Sequence, residues 1–123
     1  MQESSFKSKS GLKRLLNATK YALSGLKLAF THEAAIRQEA ALMVVMIPLG
    51  LYLGANPVEK VLLVAVVVQV FIVELLNSAV EAAVDHTSLE AHPMAGRAKD
   101  IGGAAVFVSI VQVAAVWGLI LFL

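Results

Sequence analysis

Three apolar runs joined by short polar segments set the pattern of this chain. The first, Ala40–Gly54, carries no charged residue. The second, Val61–Val73, is interrupted only by Gln69, and the third, Ile101–Leu123, only by Ser109 and Gln112. Ahead of them Leu12, Leu15, Leu16, Thr19, Leu23 and Leu26 recur with helical spacing, while Lys13, Arg14, Asn17 and Lys20 fall elsewhere on the wheel. That spacing predicts an amphipathic helix over 11–30 lying in a membrane interface, its basic residues toward the headgroups, with Met1–Ser10 frayed. The first apolar run is short for about 30 Å of hydrocarbon at about 1.5 Å per residue, so its helix must draw in Ala34–Glu39. The predicted transmembrane helices are about 34–54, 58–84 and 101–123, with a polar loop over 85–100. Pro48 is expected to kink the first span, and Gly54-Ala55-Asn56-Pro57 to form a turn with Pro57 opening the next helix. Gly102, Gly103, Ala104 and Ala105 suit close helix packing, and Trp117 suits an anchor at the opposite interface. Gln69 and Gln112 are expected to bond between helices.

The second span ends in a different chemistry. Val73–Asp85 reads VELLNSAVEAAVD, and its Glu74, Asn77, Glu81 and Asp85 are three, four and four residues apart. On a helix they share one face, opposite Leu75, Leu76, Ala79, Val80, Ala82 and Ala83. An acidic group at the centre of a membrane helix costs about 2.5–3.5 kcal/mol, against about 0.3–0.6 returned per Leu, Ile or Val. The acidic edge therefore cannot face lipid. It must line a protein-enclosed or water-filled site near one membrane surface.

Composition narrows the class. A chain of 123 residues with 59% hydrophobic content is one small domain, too apolar for an ordinary soluble fold. It is predicted to be an all-α membrane protein: an interfacial helix followed by three spans. The absence of cysteine removes disulfide and thiolate chemistry. No cleavable leader is expected, because the N-terminus is polar through Lys9. The net charge is only +1, but its distribution is uneven, and no nucleic-acid partner is expected. Lys7, Lys9, Lys13, Arg14, Lys20, Lys27 and Arg37 precede the first apolar run, Arg97 and Lys99 lie in the second polar segment, and Lys60 alone sits by the first turn. The N-terminus and the 85–100 loop are thus expected on the cytoplasmic side of a multi-pass protein.

No Walker motif, GxGxxG or HExxH occurs, and His32-Glu33 lacks the second histidine of a zinc signature. Any chemistry must come from single side chains. Glu33 and Glu81 are hard oxygen ligands suited to Mg²⁺ bridged to phosphates, although Glu33 could equally pair with Arg37 on a helix surface. Arg14, Lys99 and Arg97 could neutralise the remaining phosphate charge. Glu74 lies about 10 Å deeper than Glu81 along the helix axis, where a carboxylate could accept a proton from a lipid hydroxyl. Asn77, one turn away, could orient it. Such a site would join a water-soluble phosphate donor to a membrane-dissolved alcohol. An ion-pathway or transporter subunit would use the same acidic face differently.

EAAIRQE, ELLNSAVEAAVD and GRAKDIGGAAV occur in this order, and together they resemble the prokaryotic diacylglycerol kinase family. The likeness covers nearly the whole chain. It implies ATP-dependent phosphorylation of diacylglycerol to phosphatidic acid at a bacterial inner membrane, with undecaprenol as the alternative substrate in the same family. It also implies a homotrimer with shared active sites, Mg²⁺ held by Glu33 and Glu81, and Glu74 as catalytic base beside Asn77. By the same resemblance Arg14, Tyr21, Glu33, Glu81, Glu90, His92, Lys99 and Asp100 reach ATP, and Arg14, Ala35, Arg37, Glu39 and Glu74 meet the lipid substrate. Leu23 departs from the pattern, standing where a relative carries tryptophan.

Overall fold

A computed structural model describes residues 2–87 and 93–123, and the described residues form four α-helices. These are α1, Gln2–His32; α2, Ala34–Leu53; α3, Pro57–Thr87; and α4, Pro93–Phe122. The helix α1 forms one compact unit and Glu33–Leu123 a second.

Within the first unit, α1 is helical from Gln2 rather than from Gly11. Residues 2–10 contain neither glycine nor proline, so nothing stops the helix from propagating back toward the N-terminus. Leu12, Leu15, Leu16 and Leu23 remain exposed. Thr19 can share their face because its hydroxyl donates to the Leu15 carbonyl at 3.0 Å.

In the second unit α2, α3 and α4 are each long and apolar enough to cross a membrane. The 20 residues of α2 reach about 30 Å, which matches the hydrocarbon core only because its polar first turns are included. Packing centres on α3, which contacts both α2 and α4. Leu63, Val66, Val67 and Val70 of α3 are buried together with Ile36 of α2. Their steps of three and four put one apolar stripe of α3 against its neighbours. Many other large apolar side chains, such as Val44, Tyr52 and Phe107, are exposed, as befits helices whose solvent is lipid.

The α2–α3 turn is built from its own sequence. Asn56 caps α3, its Oδ1 accepting the Glu59 N–H at 2.9 Å, while Glu59 Oε1 accepts the Ala55 N–H at 2.9 Å. This reciprocal pairing satisfies one donor that a helix start leaves open and ties the turn before the cap to the first turn of α3. Lys60 Nζ donates to the Leu51 carbonyl at the end of α2. Gly54 is needed here for room: a Cβ would lie 2.8 Å from the Lys60 backbone nitrogen. Pro48 sits inside α2 and the helix continues through it. Lacking an N–H, it removes one ladder hydrogen bond without ending the helix.

One expectation needs correction, and the packing adds to two others. The 85–100 segment is not simply a loop, since α3 runs to Thr87 and α4 begins at Pro93. Proline suits the first turn of a helix, and Arg97, Lys99 and Asp100 extend α4 as polar turns. Trp117 does more than anchor an interface: its indole N–H donates to the Leu63 carbonyl at 3.0 Å and its ring lies against Gly50. It thereby ties α4 to both α2 and α3. Gln69 and Gln112 are exposed on the chain, and the buried polar group of α4 is Ser109, whose hydroxyl donates to the Val106 carbonyl at 2.7 Å.

Candidate active site

The buried stripe of α3 changes character after Val70. Its next buried positions are Glu74 and Asn77, only 8% and 9% exposed. The same face continues to Glu81, which is half-buried, and to Asp85, which is exposed. The acidic face is therefore closed at Glu74 and opens toward the C-terminal end of α3. A carboxylate buried this deeply requires compensating partners or a proton.

Its neighbours are acidic. The carboxylates of Glu39, Glu81 and Glu33 all act electrostatically on Glu74. Glu33 is the N-cap of α2, in extended backbone at φ −117° and ψ 110°, and its side chain makes no capping hydrogen bond. Its carbonyl accepts the Arg37 N–H at 3.3 Å. The local fold thus uses the Glu33 backbone and leaves the carboxylate uncommitted to the cap. Further along α2, half-buried Glu39 stands at the rim of a cavity of about 180 Å³, otherwise lined by apolar residues that include Leu42, Met46, Val67, Val70 and Ile110. Ala35 is half-buried and Arg37 exposed on the same stretch.

From α4, Lys99 Nζ pairs with Asp85 Oδ1 at 2.6 Å, and the charge of Glu81 also acts on it. The start of α4 is thereby fastened to the end of α3. Asp100 and Arg97 are exposed beside it. Gly102 faces Asn77, whose Oδ1 is buried with no hydrogen-bond partner among the described residues. On α1, described by itself, Arg14 and Tyr21 flank one shallow hollow with Ser10, Lys13 and Asn17. Glu90 and His92 lie outside the described residues.

Among the described residues no cluster of three or more His, Cys, Asp or Glu is arranged as a ready-made metal cage. Mg²⁺ takes one or two carboxylates and completes its octahedron with waters and substrate phosphates. Glu33 and Glu81, two hard oxygen donors beside further negative charge, could hold it on those terms.

Sequence reasoning undervalued three residues here. Glu39, expected only against lipid, is close enough to influence Glu74. Asp85, on the predicted face but without a role, is the partner of Lys99. Gly102 stands in the sequence only as one of a run of small residues, and the helix pairing shows which side chain it admits.

The family model described as prokaryotic diacylglycerol kinase matches residues 20–121. A diacylglycerol kinase of Pseudomonas aeruginosa is 50% identical over 121 residues, covering 98% of both chains. One of Haemophilus influenzae is 49% identical over 113 residues, 92% of this chain and 96% of that protein. One of Escherichia coli is 39% identical over 113 residues, 92% of this chain and 93% of that protein. With three helices able to span a membrane and bacterial relatives matched over nearly its whole length, the chain is a bacterial membrane protein of the prokaryotic diacylglycerol kinase family.

Proposed function

We propose that the chain transfers the terminal phosphoryl group of ATP to the hydroxyl of diacylglycerol, giving phosphatidic acid and ADP. The observation that carries this is the buried Glu74, on which the charges of Glu39, Glu81 and Glu33 act, in a helix long and apolar enough to cross a membrane. The Glu74 carboxylate takes the proton of the lipid hydroxyl as its oxygen bonds to the terminal phosphorus. The bond from that phosphorus to the bridging oxygen breaks, and ADP leaves. Asn77, one turn along the same face, orients the carboxylate. Glu33 and Glu81 would hold Mg²⁺, which would supply positive charge to neutralise the nucleotide phosphates. Lys99, Arg14 and Arg97 add positive charge toward the phosphates, and Tyr21, Glu90, His92 and Asp100 complete the nucleotide contacts.

The lipid reaches this site from the bilayer. The apolar cavity lined in part by Glu39 supports binding of a lipid at that residue; Arg14, Ala35, Arg37 and Glu74 are assigned to the same lipid by the family resemblance. The exposed leucines of α1 and its basic residues support an interfacial position on the cytoplasmic face, where ATP is available. An ion pathway is less well supported, because within the chain the buried stripe beyond Glu74 is wholly apolar, through Val70, Val67, Val66 and Leu63. Purified protein in mixed micelles with labelled ATP, Mg²⁺ and either lipid should phosphorylate diacylglycerol in preference to undecaprenol. A preference for undecaprenol would move the substrate to the isoprenoid alcohols.

The active form is a homotrimer. Three spans enclose Glu74 but leave Glu81 half-buried and Asp85 exposed, so neighbouring chains are needed to wall in a nucleotide. Mass measurement in mild detergent should find activity in the trimer. An active monomer would rule this assembly out.

A further inference from the structure

We propose that Gly102 is a positioning residue for this reaction, its missing side chain holding open the space in which Asn77 sits beside Glu74. The inference rests on the proposed roles of Glu74 and Asn77 and adds the part of α4 that sets one of them. A Cβ on Gly102 would overlap Asn77 Oδ1 more closely than any real contact and would lie a tight 3.3 Å from its Cγ. Its next neighbour, Val80 Cγ1, would be at an ordinary 4.0 Å, so Asn77 is the side chain a methyl group displaces. The adjacent Gly103 has nothing within 4 Å of such a carbon, which makes the requirement particular to position 102. Asn77 is buried and its Oδ1 has no hydrogen-bond partner among the described residues, so at that oxygen shape rather than hydrogen bonding sets the amide. Asn77 and Glu74 are one turn apart on a single face, and turning the amide away changes what Glu74 meets.

The test is a coupling measurement on the whole chain in diacylglycerol micelles. Gly102→Ala, Asn77→Ala, the double variant and Gly103→Ala are compared for kcat, KM for ATP and thermal unfolding. Gly102→Ala should lower kcat by about 10–10²-fold, the scale on which small misplacements act, with KM changed less than about twofold. The double variant should be no slower than Asn77→Ala alone, because the methyl then has no side chain to displace. Gly103→Ala should match the wild type. Multiplying losses in the double variant, or a Gly102→Ala enzyme of wild-type rate, would overturn the proposal. If Gly102→Ala alone does not fold, a folded double variant with the rate of Asn77→Ala still supports it. An unfolded double variant overturns it, since the methyl then meets something other than Asn77. A failure of the underlying kinase reading looks different: the wild type phosphorylates no lipid, or Asn77→Ala runs at the full rate, and the role of Gly102 falls with it.

Discussion

Glu74→Gln is expected to lower kcat by roughly 10²–10⁴-fold, the usual contribution of a positioned general base. Glutamine keeps the size and polarity of the side chain but cannot accept the proton of the lipid hydroxyl. Glu74 is 8% exposed and borders Val70 and Asn77 on the buried stripe of α3, so the substitution leaves the packing largely in place. It also removes a negative charge from a group on which Glu39, Glu81 and Glu33 act, so it should not destabilise the fold. Nucleotide binding should barely change, because the residues proposed to hold the phosphates are others. Turnover measured beside ATP binding in the same micelles separates the two effects. A Glu74→Gln enzyme at the wild-type rate would remove the base assignment.

Glu81→Gln and Glu33→Gln should act on the metal instead. Each removes one of the two carboxylates assigned to Mg²⁺, and such an ion has few protein ligands to lose. We expect the Mg²⁺ concentration needed for half-maximal ATP binding to rise about tenfold or more in each variant, with thermal unfolding little altered. Glu81 is half-buried and the Glu33 side chain takes no part in capping α2, so neither change breaks a structural contact described above. Binding titrations read this without relying on turnover. Wild-type Mg²⁺ dependence in both variants would show that the ion is held elsewhere.

The helical periodicity made much of this legible. Glu74, Asn77 and Glu81 at steps of three and four can only fall on one face of a helix, and the adjoining Val61–Val73 run ties that face to a membrane span. The short first run forced Ala34–Glu39 into α2, and α2 does begin at Ala34. What could not be read depends on which helix faces which. Gly102 and Asn77 are 25 positions apart in the sequence, and only the packing of α4 on α3 shows that one admits the other. The bond from Trp117 to the Leu63 carbonyl is of the same kind, because a backbone acceptor leaves no mark in the sequence. The 85–100 segment misled for another reason. Polarity marks where a helix leaves the membrane rather than where it ends, and α3 and α4 carry Asp85, Arg97, Lys99 and Asp100 as helical turns.

Wild-type protein reconstituted into liposomes containing diacylglycerol, supplied with labelled ATP and Mg²⁺ on the side of the N-terminus, tests the central claim most directly. Label transfer to lipid and ion flux across the same vesicles are followed together. The label should appear in phosphatidic acid while the vesicles stay tight to ions. Flux with no labelled lipid would contradict the kinase and leave the acidic face of α3 to an ion pathway.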